Sequence, residues 1–168
     1  MRYAEIMTEA KFIAYHGTGA KITQFYQPGT AGHFFTQNKD YAMGYSGKSS
    51  KSLIDKPKKT RNYLLTVELT IERMFDTKSD PAAVELYNSQ FVPTINAIHA
   101  KYKQPLVPEI EAGKMVSFIY ADELYRYFMR YPSQYDGMLV DEGGTFGTAI
   151  VPFNASQIKI LKTEIVKF

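Results

Sequence analysis

The chain contains no cysteine and no tryptophan, and only three histidines, His16, His33 and His99. Without a thiol it has no disulfide, no thiolate metal site and no cysteine nucleophile. The three imidazoles do not have the spacing of a metal-ligand motif. No apolar run approaches the roughly 18 residues a membrane helix needs, and Met1 to Ile6, with Arg2 and Glu5, does not read as a secretory leader. No Gly-x-Gly-x-x-Gly follows a strand pattern, which argues against a Rossmann dinucleotide site. Gly47-Lys48-Ser49 has the tail of a phosphate loop but neither the upstream glycine nor a preceding strand. There is no Gly-x-Ser-x-Gly nucleophile elbow either. The formal charge of +3 is too small to name a partner.

What is present suits a packed interior. The length of 168 residues fits a single domain spanning 1–168, and 45 % of it is hydrophobic. The 13 tyrosines and 11 phenylalanines serve a half-wet cleft as well as a core, because a buried phenol must find a hydrogen-bond partner. Residues 2–10 have weak helical character. Lys11 to Tyr15 reads as a buried strand stopped at His16-Gly17-Thr18-Gly19, and His33-Phe34-Phe35 as a short aromatic strand. Residues 38–46 predict a short helix with Asn38 as its cap. Asn62 to Leu69 is a strand.

Asp80-Pro81 opens a helix whose apolar face is Val84, Tyr87, Phe91, Ile95, Ile98 and Tyr102, with His99 beside it as a structural histidine. A further helix, about 117–131, carries Leu124, Tyr127, Phe128 and Tyr131 on one face. Three strands follow, at 137–141, 147–153 and 157–162, joined through Gly143-Gly144 and Asn154-Ala155-Ser156. Strands at both ends with helices between them make the chain α+β. Residues 47–61 are polar and basic, holding Lys48, Lys51, Lys56, Lys58, Lys59 and Arg61, and read as a mobile loop. Contact with nucleic acid is the sharper alternative for these cations.

Four blocks stand out together: Tyr15-His16-Gly17-Thr18; Gly32-His33-Phe34-Phe35-Thr36 with Ala42 and Tyr45 behind it; Tyr135-Asp136-Gly137; and Val151-Pro152-Phe153 followed by Gln157-Ile158-Lys159. This pattern resembles the His-Tyr-Glu class of ADP-ribosyltransferases, which includes diphtheria-toxin-like enzymes and poly-ADP-ribose polymerases. Within it, the pattern is most similar to the small domains of phage and mobile-element polyvalent proteins. The resemblance covers scattered blocks over residues 13–161, with 47–131 matched in outline only.

It implies an ADP-ribosyltransferase-like split antiparallel β-sandwich with flanking helices, and NAD as substrate with no metal. It further implies a macromolecular acceptor, protein or nucleic acid, and a cytoplasmic setting in a host cell, with virion delivery as a route. His16 would hold a ribose hydroxyl, the Gly17 backbone the nicotinamide carboxamide, and Tyr45 would stack on the nicotinamide ring. Phe34 and Phe35 would line the pocket, while Thr18 and Thr36 would add polar contacts. The basic loop would cover the cleft and order on binding. Such a cleft works by orientation and electrostatics on a ribose that becomes cationic as nicotinamide leaves.

The chain departs from the pattern at one decisive place. Alignment on Phe153 and Gln157-Ile158-Lys159 puts Ala149 where the class has its glutamate. Three readings follow: a disabled NAD-binding or nucleic-acid-binding module, a substitution of the native acid, or another acid reaching the site. For the last, Glu142 and Asp141 are nearest in sequence, with Glu142 expected to be a solvated loop acid and Asp136 a turn or strand-capping residue.

Overall fold

The computed structural model describes residues 10–27, 29, 31–48, 62–144 and 147–167, and for 45–48 the backbone alone. The expected helical character at 2–10 and the basic segment from Ser49 to Arg61 therefore lie outside the described residues, apart from Ala10, which begins a strand.

Strand β1 (Ala10–Thr18) pairs antiparallel with β3 (Asn62–Ile71) along its whole length, from Ala10↔Ile71 to Thr18↔Tyr63. Alternation in β3 puts Leu65, Val67, Leu69 and Ile71 on one buried face. The outer neighbour of β3 is β7 (Ile158–Val166). On the other side of β1 lies β2 (Phe35–Thr36), only two residues long. It pairs Tyr15↔Thr36 with β1, and Phe35↔Ile150 and Thr36↔Ala149 with β6 (Thr148–Pro152). Beyond β6 come β5 (Gly137–Asp141), antiparallel to it, and β4 (Met74–Phe75), parallel to β5. The order is β4-β5-β6-β2-β1-β3-β7.

The α+β class and the mainly antiparallel pairing match the expectation. The two sheets expected to lie face to face are instead halves of one hydrogen-bonded series, because β2 pairs on both of its edges. Both sides of this sheet are packed. In β6, Ala149 and Val151 join one core with the helices, while Ile150 joins a second with Ala14, Phe25, Phe35 and Leu65. A strand covered on both faces has an unbroken apolar run, which is what Ala149-Ile150-Val151 is.

Helix α1 (Lys39–Lys48) begins as expected, with the Asn38 side chain accepting from Tyr41 N at 3.0 Å. Helix α2 (Pro81–Leu86) is capped by Asp80, which accepts from Ala82 N at 3.0 Å. The expected continuous helix is then interrupted by a π-turn, Tyr87–Phe91, before α3 (Val92–Lys101). Val92 N–H reaches back five residues to the Tyr87 carbonyl, and Pro93 beside it has no N–H to donate. The extra residue turns the apolar stripe. Tyr87, Phe91 and Ile95 are buried, but Ile98 and Tyr102 emerge 45 % and 64 % exposed. In α4 (Ala121–Arg130), Leu124, Tyr127 and Phe128 are buried as expected, while Tyr131 beyond it is exposed.

The long connection after α3 meets the sheet only at its end, through the bridge Ser117↔Asp141; before that, side chains hold it. Asn88 and Asn96 each clamp a backbone amide and carbonyl, of Ile110 and Val107 respectively, at 2.7–2.9 Å. His99 lies 2.6 Å from the Pro105 carbonyl through Nδ1 and 2.8 Å from Glu123 Oε1 through Nε2. Both partners are acceptors, so the ring satisfies both only when doubly protonated. The Pro105 bond first, then Glu123, holds its pKa above the ordinary histidine value.

The far end of the sheet is tied by two of the blocks singled out above. Asp136 carboxylate oxygens accept from Glu72 N at 3.0 Å and Arg73 N at 2.8 Å, and Gln157 Nε2 donates to both the side chain and the carbonyl of Asp136. Gln157 Oε1 in turn accepts from Asn154 N at 2.7 Å, closing a capping box over the short turn Ala155–Gln157. Asp136 is thus the strand-capping residue expected of it.

Asp136→Ala leaves the half-buried Arg73 and Gln157 donors short of a partner and should destabilise the fold by roughly 1–3 kcal/mol in urea denaturation; an unchanged midpoint would mean that water replaces the carboxylate freely. The contribution of His99 is fully present below its unfolded value near 6.5 and is lost as pH rises through the raised folded value. The melting temperature should therefore fall as pH rises above about 6.5, with a shallower slope in His99→Gln.

Candidate functional site

Strand β1 ends where the sheet narrows to β2, and the open space at that waist is a cleft of about 500 Å³. That size is typical of a small-molecule site. From β1 it is lined by Tyr15, His16 and Gly17, and from the segment entering β2 by Gly32, His33, Phe34, Phe35 and Thr36. Tyr41 and Ala42 of α1 close one side. Phe118 and Asp122 contribute from the helical layer, and Glu142 from the turn after β5.

Gly32 has a packing reason to be glycine: a Cβ there would meet Val151 Cγ1 at 2.3 Å and the Tyr125 ring at 3.1 Å. The chain can therefore lie directly on β6 and α4 as it enters the cleft. His16 is fixed through Nδ1, 2.8 Å from the Phe34 carbonyl, and its ring sits 5.4 Å from Phe35 and 5.7 Å from Phe25. A carbonyl only accepts, so Nδ1 carries the hydrogen. Burial lowers the pKa of His16, His33 adds to that effect, and the Phe34 bond opposes it. The imidazole is thereby held neutral, and Nε2, with no partner among the described residues, presents a lone pair.

Of the residues expected at a binding site, His16, Gly17, Phe34, Phe35 and Thr36 come together in this cleft. Thr18 does not line it; its hydroxyl accepts from Ala20 N at 3.1 Å and closes the turn after β1. Tyr45 lies in α1, behind Tyr41 and Ala42, and its side chain is outside the described residues. Ala149 is 1 % exposed and packed with Val140 and Val151 in the helical core. Its register partner Thr36 reaches the cleft, but Ala149 itself is not among the lining residues.

Glu142 differs most from expectation. It is not a freely solvated loop acid: Tyr41 Oη donates to its Oε2 at 3.2 Å. Burial raises its carboxyl pKa, the Tyr41 bond lowers it, and Asp141 raises it again. The backbone aims it. Glu142 N donates to Gly147 O at 3.0 Å, Asp141 Oδ1 accepts from Gly143 N at 2.9 Å, and Gly143, Gly144 and Gly147 take positive φ of 82°, 55° and 83°. The glycine pair was visible as a turn signal; the direction in which the turn points its acid was not. Tyr41 also went unnoticed, lying between the residues read as Asn38 cap and Ala42.

No group of three or more metal-ligating side chains occurs among the described residues. No described helix is long and apolar enough to cross a membrane.

No family model and no curated protein sequence matches the chain. Among solved structures it is similar to a chain of the M. tuberculosis MbcT-MbcA toxin-antitoxin complex. The TM-score is 0.47 with 12 % identity, covering 95 % of this chain and 86 % of that one.

Ala149→Glu would bury a carboxylate in an apolar cluster and should cost several kcal/mol, on the order of 2–5, in chemical denaturation. A variant as stable as the parent would show that side chains at 149 reach the cleft.

Proposed function

We propose that this chain is an NAD-dependent ADP-ribosyltransferase acting on a macromolecular acceptor, with the nicotinamide-ribose end of NAD held in the cleft beside β1. The carrying observation is that His16-Gly17 and Phe34-Phe35-Thr36, blocks matched separately to the ADP-ribosyltransferase pattern, line one cleft that also holds carboxylates.

The chemistry of the lining residues suits that ligand. Nε2 of a neutral His16 can accept a hydrogen bond from a ribose hydroxyl. The backbone beside Gly17 allows close approach of a carboxamide. Phe34 offers apolar surface to the flat ring, backed by the buried Phe35. Glu142 and Asp122 supply negative charge where the ligand is cationic: first on the nicotinamide nitrogen, then on the ribose as the glycosidic bond breaks. Preorganised charge in a half-enclosed cleft acts more strongly than the same charge in water. The basic residues Lys48 to Arg61 would suit the pyrophosphate or a nucleic-acid acceptor, and a phage or mobile-element setting would follow from the same resemblance.

Titration calorimetry with NAD should find saturable binding, weakened about fivefold to tenfold in His16→Ala, the cost of one hydrogen bond of about 1 kcal/mol. No binding by the intact chain would overturn the proposal.

A further inference from the structure

We propose that Glu142, oriented by Tyr41, is the catalytic carboxylate of this cleft and takes the part that position 149 cannot play. This deepens the function proposed above and rests on it. Four observations converge. Ala149 is sealed in the helical core, so the strand position where the class carries its acid neither holds a carboxylate nor opens to the cleft. Glu142 does line the cleft, together with His16 and Gly17. Its backbone is pinned on both sides, by the bond to Gly147 O and by the Asp141–Gly143 turn. Its carboxylate is held by Tyr41 of α1, 101 residues away in sequence.

The second acid of the cleft, Asp122, is placed differently. It sits in the first turn of α4 and is exposed. It adds to the field of the site but has no positioning partner of this kind among the described residues.

The step balances without a further reagent. The bond between ribose C1′ and the nicotinamide nitrogen breaks, and its electron pair stays with the nitrogen, which becomes neutral. The charge passing to the ribose faces the ionised Glu142. A hydroxyl oxygen of the acceptor, or water, bonds to C1′, and its proton passes to the Glu142 carboxylate, which later releases it to solvent. Burial makes this carboxyl a better base than a solvated glutamate, and the Tyr41 bond favours its ionised form.

The test uses the full chain with NAD, following nicotinamide release alongside calorimetric affinity. Glu142→Gln should bind NAD within about threefold of the parent while losing turnover by about a hundredfold or more, the range for a general base. Tyr41→Phe removes a bond that favours the ionised acid, so the acidic limb of its pH–rate profile should move to higher pH. Full turnover in Glu142→Gln, an unmoved limb in Tyr41→Phe, or NAD binding with no turnover in the parent would each overturn this assignment. Absence of NAD binding by the parent would instead remove the reading beneath it.

Discussion

The two residues of β2 are the constraint on which the rest of the molecule hangs. Phe35 and Thr36 pair with β1 on one edge and β6 on the other, and so join the β1-β3-β7 half of the sheet to the β4-β5-β6 half. A strand so short cannot fill the space between two longer neighbours. The sheet therefore narrows there, and the cleft occupies the place where more strand would have been. Phe35 points into the core under β1 and Thr36 to the opposite face, as successive strand residues must. That alternation lets one dipeptide both anchor a core and line a site.

The cleft is held on each side by a different kind of restraint. On the β1 wall, ring packing around Phe25 and the bond to the Phe34 carbonyl orient His16, and burial keeps it neutral. After β5, a glycine turn and a phenol orient Glu142. The helical layer beyond is packed over an apolar core, and the polar clamps Asn88, Asn96 and His99 hold the connection that follows α3. These restraints leave a neutral imidazole and a positioned carboxylate lining one cleft, a combination suited to a ligand that is cationic and bears hydroxyls.

Much of this was legible along the chain, for reasons that differ by element. Lys11 to Tyr15 and Asn62 to Leu69 announced β1 and β3 because a strand buried on one face or both leaves a local apolar pattern. Asp80-Pro81 announced α2 because capping is a matter of a few neighbouring atoms. Ile98 and Tyr102 were misplaced because a π-turn shifts helical phase, and the periodic pattern carries no sign of that shift. Asp136 was legible as a turn or strand-capping residue, while its partners, the adjacent Glu72 and Arg73 and the distant Gln157, came from two other segments.

The sequence by itself determined the α+β class, the absence of thiol chemistry and the pairing of His16-Gly17 with an aromatic block as a candidate site. Those features rest on composition and on local patterns of two to four residues. Only the tertiary structure decided which acid faces the cleft. Ala149 and Glu142 are seven positions apart, yet one is packed in a core and the other meets Tyr41 in the cleft. That outcome depends on strand register at Thr36 and on three positive-φ glycines, neither of which has a local energetic signature strong enough to read in advance.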